Sequence, residues 1–245
     1  MKSIRAFVCL LLLSAVSIAA CAVPVTGDAA PCAVSMDGTP AADSCFDTKL
    51  SAVGTPLRSV MPTGDSNTCG ADGFGGYRAQ LFPYISGKAI SVGPLDSAVY
   101  CGGPGRHAGY SGSHTTGYST YLQGYIALWN PEILFMMLGT NGDSDGQNYV
   151  DILLRPTLTN YPNIKIVVAA IPNAPVQGTY PATYNASLQA AVTSMPEYGW
   201  KVFYTNKTAQ LDPNTDFMPD GLHANQYGSN KIANAFFLKF VQITR

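Results

Sequence analysis

Two nearly uninterrupted apolar runs constrain the fold of this chain more than any other feature of its sequence. They are Glu132–Gly139 (EILFMMLG) and Ile164–Ile171 (IKIVVAAI). Short runs of this kind are typical of parallel strands that helices cover on both faces. A strand with one face in water would instead alternate apolar and polar residues. The two runs therefore predict strands at the centre of a parallel sheet.

Shorter β-type runs and helical patterns alternate with these two strands along the chain. We predict strands at residues 58–63, 89–93, 133–138, 164–170 and 201–204. Predicted helices lie at residues 77–85, 118–129, 147–154, 182–194 and 226–241. Because strand and helix alternate, we expect an α/β fold, a three-layer αβα sandwich with a central parallel sheet and right-handed crossovers.

The first 22 residues have the pattern of a secretory signal peptide. Lys2 and Arg5 precede an apolar run at residues 6–20, and small residues follow it. We therefore expect a secreted, extracellular protein. Ile18–Cys21 also fits a bacterial lipobox, so a lipid on Cys21 is an alternative that the sequence leaves open.

After the signal peptide at residues 1–22, we expect an irregular, disulfide-pinned extension at 23–55 and one domain at 56–245.

The formal net charge is −1 and no basic stripe is present, so we expect no nucleic-acid partner. No later run approaches the roughly 20 apolar residues of a membrane span. We expect a monomer. Asn185 and Asn206 begin glycosylation motifs, which matter only in a eukaryotic source.

Beyond the signal peptide, the cysteines are Cys32, Cys45, Cys69 and Cys101. An even number in an exported chain indicates disulfides, and four cysteines allow three connectivities. We favour Cys32 with Cys45 and Cys69 with Cys101. Metal binding is a poorer interpretation, because no C-x-x-C occurs and neither His107 nor His114 has zinc spacing or nearby acids. We therefore expect no metal and no cofactor.

Polar residues at the predicted carboxyl ends of strands are the candidates for chemistry, because ligands of such sheets lie there. Ser66 follows the first strand, and Asp220 with His223 precede the last helix. Their three-residue spacing lets the Asp220 carboxylate reach Nδ1 of His223 while Nε2 points outward. A serine needs a base to become a nucleophile, and a histidine base needs an orienting group. We assign Ser66, His223 and Asp220 to these three roles.

Donors for a developing oxyanion are predicted beside this serine. They are the amide of Asn141, at a neighbouring strand end, and the backbone N–H groups of Ser66 and Gly109. Taken singly, each motif could be a turn, a cap or a surface pair. Gly-Asp-Ser indeed occurs twice. Ser144, in the second copy, follows its strand end by several residues in a polar loop, so we interpret it as a match without a catalytic role.

At these residues the chain resembles the SGNH (GDSL-type) hydrolase superfamily. The similar blocks, in order, are Met61–Ser66 (MPTGDS), Gly75–Arg78 (GGYR), His107–Gly112 (HAGYSG), Leu138–Asn141 (LGTN) and Asp220–Asn225 (DGLHAN). They are most similar to secreted carbohydrate esterases of family three, which include acetyl xylan esterases. The resemblance implies a flavodoxin-like parallel sheet, Ser66 as nucleophile, Gly109 and Asn141 in the oxyanion hole, and Asp220 with His223 completing the triad.

The chain departs from the family pattern at three places. Asn67 stands where an aliphatic residue is usual, Gly142 replaces a common acidic residue, and His107–Gly112 differs from H-x-G-H-S-G. All five catalytic positions are intact, so the departures bear on substrate preference. We interpret His107 as structural or substrate-contacting.

The sequence thus predicts a secreted serine esterase that removes small acyl groups, acetyl above all, from a polysaccharide or oligosaccharide. A GDSL lipase or lysophospholipase is an alternative. Such an enzyme needs an apolar groove for the acyl chain, whereas the loops of this chain are rich in Gly, Ser, Thr and Tyr. A catalytically silent carbohydrate-binding or host-interaction protein on the same fold is another, and the complete triad argues against it.

Overall fold

The computed structural model of the chain describes residues 57–143 and 145–245. Several predictions lie outside the described residues and stay predictions: the signal peptide, the lipid on Cys21, the extension at 23–55, the Cys32–Cys45 disulfide and the role of Ser144.

The described strands form one sheet in the order β3-β4-β1-β5-β6-β7, with β2 also paired to β1. The strands are β1 Arg58–Gly64, β2 Ala89–Ser91, β3 Leu95–Asp96, β4 Arg106–Gly109, β5 Ile133–Met137, β6 Lys165–Ala169 and β7 Val202–Thr205. All pairs are parallel except β3 with β4. The predicted fold class, an α/β sandwich with a mainly parallel central sheet, is confirmed.

Helices cover both faces of this sheet. They are α1 Ser66–Cys69, α2 Arg78–Tyr84, α3 Thr115–Trp129, α4 Gly146–Tyr149, α5 Arg155–Asn160, α6 Tyr180–Thr193 and α7 Gln226–Thr244. A π-helical segment, Val150–Leu154, joins α4 to α5. Among the described residues, no helix is both long and apolar enough to cross a membrane.

The central strand β5 shows why its sequence is apolar throughout. Leu134 and Met136 pack on one face of the sheet with side chains of α3, α4 and α6. Phe135 and Met137 pack on the other face with side chains of α2 and α7. Every residue of β5 is buried, because successive side chains of a strand point to opposite faces and both faces are covered.

The predicted elements are present, with shifted ends, but two short helices, α1 and α5, and two short strands, β3 and β4, were not predicted. β3 has only two residues and β4 four, too few to show a periodic pattern. β4 nevertheless matters for the site, because it pairs with the end of β1 and brings Gly109 beside Gly64. The other end of the same edge of β1 pairs with β2.

Candidate active site

Ser66 is the first residue of α1 and follows a tight turn at the carboxyl end of β1. Asp65 caps the helix: its carboxylate accepts the N–H of Asn67 at 3.0 Å and the N–H of Thr140 at 3.2 Å. Asp65 is fully buried, and burial raises its pKa while these hydrogen bonds oppose the shift. A Cβ at Gly64 would overlap the Met137 carbonyl, so only glycine lets β1 and β5 approach here.

The structure brings Ser66, His223 and Asp220 into one hydrogen-bonded chain. The distance from His223 Nε2 to Ser66 Oγ is 2.9 Å, and that from His223 Nδ1 to Asp220 Oδ2 is 2.7 Å. Because the Asp220 carboxylate can only accept a hydrogen bond, it selects the tautomer with the proton on Nδ1. Nε2 is then free to accept the proton of Ser66.

Asp220 is held by its own loop. Its Oδ1 accepts the backbone N–H groups of Leu222 at 2.9 Å and His223 at 3.0 Å. Partial burial acts to raise the pKa of Asp220, but these bonds and the one from the His223 ring outweigh it and hold the pKa at about 2. Asp220 is therefore ionised at any pH well above its pKa, as an orienting carboxylate must be.

The two remaining predicted residues already donate hydrogen bonds within the protein. Asn141 Nδ2 donates to Ser113 O at 2.9 Å, which leaves the second hydrogen of this amide group for another acceptor. The Gly109 N–H donates to His107 Nδ1 at 3.1 Å. A Cβ at Gly109 would lie 2.6 Å from Cys69 N, so glycine allows β4 to pack directly on α1.

His107 is fully buried in β4. Burial, and after it the charge of Arg78, lowers the pKa of His107 to about 4, so the ring is neutral near pH 7. Its Nδ1 accepts the Gly109 N–H, and the ring proton is therefore on Nε2. In this arrangement His107 orients the Gly109 peptide, which agrees with its interpretation as a structural residue.

Arg78, the last residue of the Gly75–Arg78 block, has a central place in the site that the sequence does not predict. Its guanidinium is fully buried and reaches two segments, the end of α1 and the loop before β4. It donates to Thr68 O, Cys69 O, Ser97 Oγ, Gly102 O and Pro104 O, at 2.5 to 3.2 Å. Burial lowers its pKa to about 10, so it stays charged at neutral pH. The only sequence signal was an arginine among small and apolar residues.

The predicted disulfide between Cys69 and Cys101 is confirmed, with the two Cα atoms 5.3 Å apart. It joins the same two segments as Arg78, the end of α1 and the loop before β4. The segment that carries the nucleophile and the segment that leads to Gly109 are thus connected twice, once covalently and once by a buried cation.

The two predicted glycosylation sites differ in exposure. Asn185 is buried in α6, and its amide group both accepts from Ile171 N and donates to Ile171 O. Asn206 is exposed. Only Asn206 could carry a glycan without disrupting packing. Within 57–143 and 145–245, no group of three or more His, Cys, Asp or Glu side chains is placed to hold a metal ion.

Comparison with known proteins gives related esterases, although no family model matches the chain. A multidomain esterase from Ruminococcus flavefaciens is 31% identical over an alignment of 220 residues that covers 74% of this chain and 28% of that protein. A family 3 carbohydrate esterase from Clostridium thermocellum has a similar structure, with a TM-score of 0.65 and 26% identity over 76% of this chain and 98% of that one.

The fold of the chain is that of the SGNH hydrolases. Within them it is similar to carbohydrate esterase family three, as the sequence blocks indicated. A family 3 carbohydrate esterase from Talaromyces cellulolyticus has the same fold, with a TM-score of 0.64 and 22% identity over 76% of this chain and 97% of that one. Both the multidomain protein and the family 3 protein are named as esterases. It spans 28% of the length of the curated relative.

Proposed function

We propose that this SGNH hydrolase is a secreted serine esterase that removes small acyl groups, chiefly acetyl, from polysaccharides. The observation that carries the proposal is the hydrogen-bonded chain from Ser66 through His223 to Asp220, with heavy-atom distances of 2.9 and 2.7 Å. A serine hydrogen-bonded to an oriented imidazole is the arrangement that nucleophilic acyl transfer requires.

In the first half of the proposed reaction, His223 Nε2 takes the proton of Ser66 as Oγ attacks the ester carbonyl carbon. The negative charge that develops on the carbonyl oxygen is stabilised by N–H donors. When the tetrahedral intermediate collapses, the bond to the sugar oxygen breaks, and His223 returns its proton to that oxygen. The products are a free sugar hydroxyl and an acetyl ester on Ser66.

The oxyanion donors in this proposal are the backbone N–H groups of Ser66 and Gly109 and the amide of Asn141. Ser66 is at the start of α1, where backbone N–H groups have no partner inside the helix. Asn141 offers the hydrogen that Ser113 does not use. Gly109 would exchange its bond to His107 for one to the oxyanion, because a charged oxygen is a stronger acceptor than a neutral ring nitrogen.

In the second half, water replaces the sugar. His223 removes a proton from the water, and the resulting hydroxide attacks the acetyl carbon. The second tetrahedral intermediate breaks its bond to Ser66 Oγ and releases acetic acid, which ionises to acetate and a proton. His223 then protonates Ser66 Oγ and the starting state is restored. Asp220 stays ionised throughout and stabilises the imidazolium that forms in each half.

The proposal of a carbohydrate substrate is supported by the related structure, whose name is family 3 carbohydrate esterase. Export is proposed from the signal-peptide pattern before residue 22, and the Cys69–Cys101 disulfide agrees with an oxidising compartment.

The test is an assay of p-nitrophenyl acetate hydrolysis together with acetate release from acetylated xylan, pectin and chitin fragments. Ser66→Ala should abolish both activities and keep the melting temperature of the parent protein, whereas Ser144→Ala, in the second Gly-Asp-Ser, should leave both unchanged. Hydrolysis that survives in Ser66→Ala would refute the nucleophile. Hydrolysis of p-nitrophenyl acetate without acetate release from any polymer would refute the substrate class.

A further inference from the structure

A stack of three tyrosine rings lies beside the candidate active site and has no role in the proposed chemistry. Tyr110 and Tyr125 have ring centroids 5.8 Å apart and planes inclined by 15°. Tyr125 and Tyr121 follow at 6.2 Å and 19°. We call Tyr110, Tyr125 and Tyr121 the tyrosine stack. The outermost ring, Tyr121, is 57% exposed.

The spacing of the rings leaves parts of their faces uncovered. Atoms in contact lie about 3.5–4 Å apart, so nearly parallel rings whose centroids are 5.8 and 6.2 Å apart must be displaced sideways. Each ring of the tyrosine stack therefore covers only part of the next one. The outer face of Tyr121 has no stacking partner among the described residues.

The tyrosine stack is continuous with the active site. Tyr110 directly follows Gly109, the proposed oxyanion donor, and its own N–H donates to Gly64 O at 2.9 Å. Gly64 precedes Ser66 by two residues. The backbone that carries the innermost ring of the stack therefore lies against the strand end that leads to Ser66.

Two glycines flank Tyr121 on the exposed surface of α3. Gly117 and Gly124 are four residues before and three residues after Tyr121, which places all three on one face of the helix. Both have ordinary negative φ, and a Cβ added at either would meet nothing within 4 Å. Glycine is unfavourable inside a helix compared with alanine, and neither backbone conformation nor packing requires it here. Its effect is a bare surface on both sides of the Tyr121 ring.

The chemistry of α3 indicates what binds there. None of its 15 residues is charged, and its polar side chains are hydroxyls and one amide. Nucleic acids and anionic lipids need cations, which α3 lacks. Neutral sugars instead offer C–H faces that pack on aromatic rings and hydroxyls that bond to polar neighbours, and tyrosine combines both properties.

We propose that the tyrosine stack and the bare surface around Tyr121 form a binding platform for a neutral polysaccharide, one that holds the polymer while Ser66 attacks an acetyl group on it. This inference rests on the proposed function. It adds a second contact area, outside the reacting centre, that small esters do not reach.

Steady-state kinetics on two substrates test the platform. Tyr121→Ala should raise KM for acetylated xylan by about fivefold, the loss expected for one aromatic contact, and leave kcat and KM for p-nitrophenyl acetate within about twofold. Tyr121→Phe keeps the ring and should behave as the parent. Trp200→Ala is the matched control, because Trp200 is 56% exposed but its ring is covered by Lys201, with Nζ at 4.5 Å.

Binding without turnover gives a second measurement. Ser66→Ala should co-sediment with insoluble xylan, and Ser66→Ala with Tyr121→Ala should do so several-fold less. Gly124→Ala should raise the melting temperature, since alanine favours the helix, and should also raise KM for acetylated xylan, since its methyl group covers the bare surface.

The outcomes separate this inference from the proposed function. If the parent releases acetate from xylan and Tyr121→Ala keeps the parental KM for acetylated xylan, the platform is wrong but the proposed esterase activity is supported. If the parent hydrolyses p-nitrophenyl acetate but neither binds nor deacetylates any polymer tested, the substrate class is wrong and the platform falls with it. Equal losses on both substrates in Tyr121→Ala would show that the ring only supports the fold of the site, which also overturns the platform.

Discussion

Asn67 Oδ1 accepts a hydrogen bond from the backbone N–H of Ala224 at 3.2 Å. Asn67 directly follows Ser66, and Ala224 directly follows His223, so this bond joins the two chain segments that carry the nucleophile and its base. Both residues are buried. Asn67 is also one of the three departures from the family pattern, and the structure gives it a positioning role.

We expect Asn67→Leu, which restores the usual aliphatic residue, to lower kcat several-fold with little change in KM, because the His223 loop loses a contact to Ser66. The buried N–H of Ala224 would lose its partner, so the free energy of unfolding should fall by about 1–3 kcal/mol. Urea unfolding and kinetics on p-nitrophenyl acetate measure the two effects. Asn206→Ala, at an exposed position, is the control and should change neither quantity. Unchanged kinetics in Asn67→Leu would exclude the positioning role.

Asn141→Ala should lower kcat by about 10²–10³, with little change in KM, because an oxyanion donor matters mainly as negative charge develops. The change also removes the hydrogen bond from Asn141 to Ser113 O, so Ser113 could move. Asn141→Asp keeps the size of the side chain without its N–H donors and should be as impaired as Asn141→Ala. A loss confined to KM in either variant would contradict the oxyanion role.

Acyl length should separate the carbohydrate esterase from the lipase alternative. A longer chain gains about 0.8 kcal/mol for each buried CH₂ only where an apolar tunnel receives it. The residues expected to line the site, at 73–77, 107–114 and 141–145, are mostly small, aromatic or hydrogen-bonding. We expect kcat/KM on p-nitrophenyl esters to fall steeply from acetate to butyrate and to be negligible at octanoate. A maximum at octanoate or beyond would favour the lipase.

The buried His107 predicts a pH dependence of stability. Its pKa is about 4 in the folded protein, and that of a histidine in an unfolded chain is about 6.5. Between these values the unfolded state binds a proton that the folded state does not. The free energy of unfolding should therefore fall as pH drops from about 6.5 to about 4, and the contribution of His107 should be constant above and below this window.

The matched variant for this measurement is His107→Asn, whose Oδ1 can still accept a hydrogen bond but which does not titrate in this range. Urea unfolding of both proteins at several pH values gives the difference in their unfolding free energies, in which the contributions of other groups cancel. That difference should shrink steadily from pH 6.5 to 4.5. A difference that does not depend on pH would mean that His107 is protonated equally in both states.

Local chemistry made the core of the fold predictable. β5 and β6 are apolar at nearly every position because both of their faces are buried. A run of consecutive apolar residues can be recognised in the sequence without knowledge of the fold. Asp220 and His223 were predictable as a pair for a similar reason, since three residues of spacing within one loop suffice to bring their side chains together.

Long-range contacts were not predictable in the same way. Nothing near Arg78 in the sequence shows that its guanidinium will bond to carbonyls as distant as Gly102 and Pro104. The bond from the Gly109 N–H to His107 Nδ1 spans only two residues, but it depends on the conformation of β4, whose four residues are too few to show a period. The Arg78 contacts exist because the fold places the start of α2 against the loop before β4, which is more than 20 residues away in the chain.

The sequence by itself therefore determined the class of fold, the identity of the triad candidates and the favoured Cys69–Cys101 pair, because periodicity, spacing and short motifs are properties of neighbouring residues. Only the tertiary structure decided that Ser66 Oγ lies 2.9 Å from His223 Nε2, across 157 positions of the chain. It also decided that Tyr110 stacks on Tyr125. The physical reason is that such distances depend on how the strands pair and the helices pack, which no local pattern encodes.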